Sequence, residues 1–469
     1  MQQVTVVEFG VTDGQAARLR FAVLLNKVVF GSLLVLLVTT AIPYGTAEPW
    51  WKAAFVSGAF CICIVAIVES LLSGESHIGG ARGILLSMLA LSGFAFLQTV
   101  NYRSGNPDPA VSALGPWNAI SSDPYQTRFF VLQLLSLTIC LALLYRYCSS
   151  KKRINILIHT VIGVAVVSAL FGILRQTVQH APGFVLPRTM PGQGYGQFIN
   201  KNHFALLMEM GLGLGLGIGL TSGIKREKVL IYVALLLPIW TALVLSNSRG
   251  GILAMLAQVV VASILLTSGR TSTAFGTGAS KLSQSKLLRA ALLCMLVLLM
   301  LIGSIWMGGD RLVSSFGGAS TELNPGADGY RGGATRNEIW RASWKMFAAH
   351  PIVGVGLGGY WVAITEFHDA SGEMTPQEAH NDYLELLSSG GLLVLAIGTW
   401  FAVSLFRRAK ENLGSQNRFQ RSVCFAAIIG IAGVAVHSLV DFGLHLLINA
   451  LVFVILVMLA TKRIEVEQH

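Results

Sequence analysis

Twelve runs of this chain are apolar over about the 20 residues that an α-helix needs to cross a bilayer. They cover 22–43, 53–72, 83–100, 129–147, 154–174, 203–222, 229–246, 250–267, 288–307, 390–406, 422–440 and 443–461. Few folds are open to such a chain. Inside lipid every backbone N–H and C=O must find a partner within the segment, and for runs of this length that means a helix. The chain therefore reads as an all-α integral membrane protein of about twelve transmembrane helices with one long helical loop on the outer side. Composition agrees, with 53% of residues hydrophobic and 12% charged, against about 25% charged in soluble domains. The expected division is helices one to nine in 1–307, the loop in 308–389 and helices ten to twelve in 390–469. The first run is too long for a signal-peptide core and is expected to be retained.

Lysines and arginines set the orientation, because basic loops stay on the inner side. With both termini inside, the inner loops hold Arg18 and Arg20, the Arg146/Lys151/Lys152/Arg153 group, Lys225/Arg226/Lys228, Lys281/Lys286/Arg289, the Arg407/Arg408/Lys410/Arg418/Arg421 group, and Lys462/Arg463. The net charge of +11 is then mostly a topology signal, and nucleic acid is a poor reading of it. The six cysteines all fall in runs or on the inner side, so no outer disulfide is expected.

The long outer loop is patterned as helix and turn. Thr335-Arg-Asn-Glu338 is a capping box, followed by Trp340, Trp344 and Phe347 on one expected apolar face. His350-Pro351 ends that helix. Gly354-Val-Gly-Leu-Gly-Gly359 follows as a loop, and its GxGxxG match is weak because no βαβ unit surrounds it. Thr375-Pro-Gln-Glu378 reads as a second capping box, whose helix carries His380 in its second turn and stops at Gly390-Gly391. In the bundle, Gly211, Gly215 and Gly219 fall on one helix face and Gly213 and Gly217 on another, as in close helix packing.

Candidate site residues lie on the outer side. Arg336 opens a helix, where free N–H groups attract anions and repel cations, and Arg331 and Arg341 are near it. Arg249 sits in a cramped turn, Ser246-Asn-Ser-Arg-Gly-Gly251, at the outer membrane face, where a guanidinium suits phosphate oxygens. Lys201 begins a run beside Asn202 and His203; Asn202 serves equally as a helix cap. Arg175 and Arg188 are further outer cations. His380 is the expected general base, since an imidazole takes a proton near neutrality. Asp441 and His445, four apart, form a second expected polar pair, either functional or tying helices together. No Asp-x-Asp, H-E-x-x-H or cysteine cluster offers a metal site, and none is expected; no cofactor is expected either.

Taken as a set, Asn200-Lys-Asn-His-Phe-Ala205, Ser248-Arg-Gly-Gly251, Arg336-x-x-x-Trp340, Pro351-Ile-Val-Gly-Val-Gly-Leu-Gly-Gly-Tyr360 and Ala379-His-Asn-Asp-Tyr-Leu384 with Gly390-Gly391 resemble the bacterial O-antigen ligase and polymerase family. The resemblance implies a metal-independent, inverting membrane glycosyltransferase of GT-C-like fold in the bacterial inner membrane, with its site in the periplasm. It implies an undecaprenyl-diphosphate-linked glycan as donor and lipid A-core, or a growing glycan chain, as acceptor. Arg249 and Arg336 would hold the diphosphate and His380 would activate the acceptor hydroxyl. Lys201 stands where many members carry arginine. The chain ends soon after its last run, which speaks against a protein-glycosylating member. A twelve-span secondary transporter is the alternative from another class; it would carry paired repeats and mid-membrane polar groups, whereas these polar groups gather at one end.

Overall fold

The computed structural model describes residues 13–74, 82–100, 119–178, 194–221, 226–267, 335–368 and 376–464. Among them the chain is helical, and an isolated β-bridge joins Tyr195 and Phe198. The helices are α1 (Asp13–Ala41), α2 (Pro49–Ser73), α3 (Arg82–Leu97), α4 (Pro124–Tyr147), α5 (Lys151–Val178), α6 (Lys201–Thr221), α7 (Arg226–Leu245), α8 (Arg249–Thr267), α9 (Arg336–Ala349), α10 (Tyr360–Phe367), α11 (Asp382–Leu413), α12 (Arg418–His437) and α13 (Leu447–Thr461). Eight helices among the described residues are long and apolar enough to cross a membrane, and three more are apolar but shorter. The chain is a multi-pass membrane protein. The expected span at 288–307 lies outside the described residues, so the count of twelve stays an expectation.

Helix α6 is the centre of the bundle, with nearly every side chain from His203 to Ile218 buried. Its glycines explain how it is surrounded so closely. A Cβ on Gly217 would lie 2.3 Å from the Cα of Ala426 and one on Gly213 3.0 Å from the Cα of Gly430, both on α12. On the other side a Cβ on Gly211 would lie 2.5 Å from Ala165 Cβ of α5, and one on Gly215 2.4 Å from Leu236 of α7. The two-faced spacing of the sequence thus lets α12 approach one face at backbone distance and α5 and α7 pack their side chains on the other.

One end of the bundle gathers basic side chains. Buried Glu69 accepts from Arg146 and from the Tyr147 hydroxyl, each at 2.7 Å, and Arg153 donates to Asn26 at 2.6 Å. Gln420, at the start of α12, bonds Asn412 there. The last residue of α12, His437, is a full helix length away, at the end that carries the candidate site.

Helix α11 is two helices with a break at Gly391, whose φ of 64° and ψ of −159° are not helical. The expected stop at Gly390-Gly391 is therefore a kink. The freed backbone groups are met by the glycine loop after α9. Val355 and Gly356 N–H donate to the carbonyls of Ser388 and Ser389, and Leu392 and Leu393 N–H donate to those of Pro351 and Ile352. Gln98 and Thr127 satisfy Leu357 and Gly358 N–H. The N–H groups that a phosphate-cradling GxGxxG would offer are consumed, so this loop is a splice into the helix break. Gly354 must be glycine here: its φ is 64°, and a Cβ would lie 2.2 Å from the carbonyl carbon of Ser389.

The capping box at Thr335 forms as expected, with both reciprocal bonds present. The expected apolar face of α9 does not: Trp344 is exposed and Phe347 half-buried, while Ile339, Ala342 and Met346 are buried. These three also recur at helical spacing, and packing against Val355, Tyr360, Ile364 and Ala379 selects them. The second expected capping box is also corrected. Thr375 lies outside the described residues, Pro376 to His380 are not helical, and α11 begins at Asp382 with Asn381 as its cap.

Candidate active site

His380 does not ride on a helix. It stands two residues before α11 with φ +50°, in the left-handed region that a non-glycine residue seldom occupies. Its neighbours hold it there. The Ala379 carbonyl accepts from the Trp340 indole at 3.0 Å, and the Ala379 N–H donates to Glu385 at 2.8 Å. On the other side Asn381 Oδ1 caps α11 through Leu384 N–H at 3.0 Å, and Asp382 N–H donates to the Ser438 carbonyl at 2.9 Å. Strained conformations persist where the surroundings over-determine them, and they gather at functional sites.

The His380 ring faces a buried carboxylate that sequence spacing did not reveal. Its Nδ1 is 3.5 Å from Asp441 Oδ1, and the His380 side chain is 33% exposed against 1% for Asp441. At that distance the pair is an electrostatic contact longer than an ordinary hydrogen bond. It leaves Nε2, the other ring nitrogen, available to a substrate. Burial pushes the Asp441 carboxyl up, but His380 together with the imidazoles of His203 and His437 outweighs it and holds the group well below the usual carboxylate range. The expected Asp441–His445 pair is thus replaced by two separate pairings. Between them stands Phe442, met edge-on by His203, His380 and His445 at 4.7, 4.8 and 5.7 Å between centroids.

His445 turns into a group of carboxylates. Its Nδ1 is 3.4 Å from Glu378, and its Nε2 is 3.2 Å from Glu385 and 3.8 Å from Asp382. Burial opposes charge on the ring, but Glu385, Glu378 and Asp382 raise it to about 10. A protonated His445 thus stands among three clustered carboxyl groups. Ligand-type atoms of Glu378, Glu385 and His445 lie within 4.8 Å of one another, a spacing that a metal ion can use. Sequence spacing gave no sign of this group, because the carboxylates and the histidine lie far apart along the chain.

Three of the expected cations share one structural position. Lys201, Arg249 and Arg336 are each the first residue of a helix, α6, α8 and α9. All three helices start at the His380 end of the bundle. His203, two residues after Lys201, touches Phe442. A Cβ on Gly250, next to Arg249, would lie 3.2 Å from His437 Nε2. Trp340, one turn after Arg336, holds the residue before His380. Each start adds the partial positive charge of a helix N-terminus to that of the side chain.

The other expected residues fall elsewhere. Asn202 is not the cap of α6; Asn200 is, its Oδ1 accepting from Asn202 N–H at 2.8 Å. Asn202 stays in the first turn, half-buried. Arg175 is buried at 8% exposure and donates to the Gly196 carbonyl, so it ties α5 to the strand-like turn before α6. Arg331 and Arg188 lie outside the described residues. Beneath the site, Glu209 and His437 form a fully buried pair at 3.0 Å between α6 and α12, a contact the sequence did not announce.

Residues 233–399 match the family model described as O-antigen ligase (Wzy_C). The match includes Arg249, Arg336 and His380 and leaves Lys201, Asp441 and His445 outside it. No curated protein matches the chain.

Proposed function

We propose, from the match of residues 233–399 to the O-antigen ligase family model, that the chain belongs to that family and moves a glycan from undecaprenyl diphosphate to the sugar of a lipid A-core acceptor at the periplasmic face. The family consists of glycosyltransferase-like membrane enzymes, and the finer assignment rests on one observation above others. His380 is held in a strained backbone conformation with Nδ1 toward ionised, buried Asp441, which suits a base that must take a proton on Nε2.

In the proposed reaction the acceptor hydroxyl attacks the anomeric carbon, whose bond to the diphosphate oxygen breaks. The hydroxyl proton passes to His380 Nε2, and Asp441 stabilises the imidazolium as it forms. The electron pair leaves with the lipid diphosphate. Arg249, Arg336 and Lys201, each with its helix N-terminus, meet that developing charge. Direct displacement inverts the anomeric centre. In this account protein cations, rather than a divalent ion, neutralise the leaving group.

The test is reconstitution of purified protein with an undecaprenyl-diphosphate glycan and two acceptors offered separately. Transfer to lipid A-core supports the ligase assignment. Extension of a lipid-linked glycan alone would make the protein a polymerase of the same family. Transport of the donor without transfer to either acceptor would remove the enzymatic assignment.

A further inference from the structure

A glutamate and a histidine are buried side by side where three candidate membrane spans meet. Glu209 of α6 and His437 of α12 are both 0% exposed, and Gln258 of α8 beside them is 1% exposed. Glu209 Oε1, His437 Nε2 and Gln258 Oε1 have no hydrogen-bond partner among the described residues. Packing alone does not account for this group. A buried pair of this kind is seldom more stabilising than apolar side chains of the same shape, and each unpartnered polar atom adds a further cost. Ionisable groups inside a membrane are functional candidates by default, and the reaction proposed above gives this pair no step.

The contacts around the pair lead to both halves of the site. Glu209 ties α6 to the other two helices at once. Its carboxyl group meets His437 Nδ1 at 3.0 Å, and its carbonyl accepts from Gln258 Nε2 at 2.9 Å. The other edge of the His437 ring lies against the first turn of α8, which begins with Arg249. A Cβ on Gly250 would lie 3.2 Å from His437 Nε2 and 3.0 Å from Val440 Cγ2, and one on Gly251 2.8 Å from Ala205 Cβ of α6. On the acceptor side, the His437 carbonyl accepts from Val440 N–H at 2.9 Å and from Asp441 N–H at 3.1 Å. Ser438, the next residue, holds Asp382 twice: its carbonyl accepts from Asp382 N–H at 2.9 Å, and its hydroxyl donates to Asp382 Oδ2 at 2.7 Å. Asp382 stands two residues after His380. His437 is thus a support shared by the turn that carries the donor's arginine and by the residues that carry the acceptor's base.

We propose that Glu209 and His437 are a positioning pair, which sets the first turn of α8, and with it Arg249, against His380 and Asp441. The inference rests on the transferase reading above and adds how its donor cation is aimed. With Nδ1 held by Glu209 the ring has one orientation, and the backbone of Gly250, packed on its other edge, is fixed with it. Such control matters, because a misplacement of about 1 Å remote from the chemistry is enough to slow an enzyme on the order of 10²-fold.

Binding of undecaprenyl diphosphate to the purified full-length protein in detergent tests it, measured once with Arg249 present and once in Arg249→Ala. Two changes are made in each background. The first is the apolar pair Glu209→Met with His437→Leu, expected to keep a thermal midpoint at or above that of wild type. The second is Gly250→Ala, which leaves the pair intact and pushes the first turn of α8 off the ring; it decides alone where the apolar pair does not fold. Each change is expected to weaken binding about tenfold with Arg249 present and less than about twofold without it, because residues that act through one another are not additive. Glu209→Gln, whose amide still reaches Nδ1, is expected to bind like wild type. An equal loss in both backgrounds, or no loss in either, would overturn the positioning role and leave the transferase reading intact. So would a loss in Glu209→Gln as large as in the apolar pair, since charge and not geometry would then be the agent. Wild type that does not bind the diphosphate would sink the transferase reading, and this inference with it.

Discussion

At the scale of residues the account depends on a few side chains with separate jobs. His380 acts on the acceptor, so His380→Ala is expected to slow transfer about 10²–10⁴-fold and to leave donor binding nearly unchanged. Asp441→Asn keeps the shape and removes the charge that stabilises the imidazolium; it should lower kcat, less severely than His380→Ala, without raising KM for the donor. Arg249→Ala and Arg336→Ala should do the reverse and weaken donor binding, because each removes charge-assisted bonds worth about 1.5–3 kcal/mol apiece. Normal donor affinity in both arginine variants would move the diphosphate elsewhere. His445 gives a pH signature. Its folded-state pKa is raised to about 10 by Glu385, Glu378 and Asp382 against the opposing effect of burial, above the ordinary imidazole value of about 6.5. A raised pKa means that the contribution to stability is complete below about pH 6.5 and is lost as pH rises through about 10. The thermal midpoint in detergent should therefore fall between pH 7 and 10 in wild type and fall less in His445→Gln. An equal alkaline slope in both proteins would show that His445 carries no such link.

At the scale of elements, the break in α11 is the feature that builds the site, because it lets the loop after α9 dock and fixes the residues around His380. Gly391 has φ 64°, and a Cβ there would lie 2.4 Å from the Ile352 carbonyl oxygen. Gly391→Ala should thus cost more than the roughly 1–2 kcal/mol of a left-handed residue, read as a lower midpoint of thermal unfolding with loss of transfer. An unchanged midpoint would mean the splice is not needed. The described helices, the Thr335 cap and the close-packed glycines of α6 were legible in the sequence, because spacing and cap chemistry are local, while the expected stop at Gly390-Gly391 proved to be a kink. What was not legible came from contacts across the chain. Asp441 meets His380 only because α12 ends beside α11, and Asn381 rather than Thr375 caps α11 because Asp382 is tied to Ser438. Likewise α9 buries Ile339 and Met346 rather than Trp344, since the 339–342–346 face is the one that Val355 and Ala379 meet. A positive φ at a histidine has no sequence signal at all.

At the scale of the whole molecule, charge is divided between the two ends of a helical bundle. One end holds Arg146, Arg153 and Lys462 among carboxylate and carbonyl partners. The other holds His380, Asp441 and the starts of three cation-headed helices. The proposal puts the second end in the periplasm. The central claim is that protein cations and one histidine carry out the transfer there. Its most direct test is glycan transfer from undecaprenyl diphosphate by purified protein in EDTA, with His380→Ala run beside wild type. Arg249, Arg336 and Lys201 replace a metal in this account, so wild type should transfer at full rate in EDTA and the variant about 10²–10⁴-fold more slowly. Wild-type activity lost to EDTA and restored by magnesium or manganese would contradict it and would turn attention to Glu378, Glu385 and His445 as the residues that hold the ion.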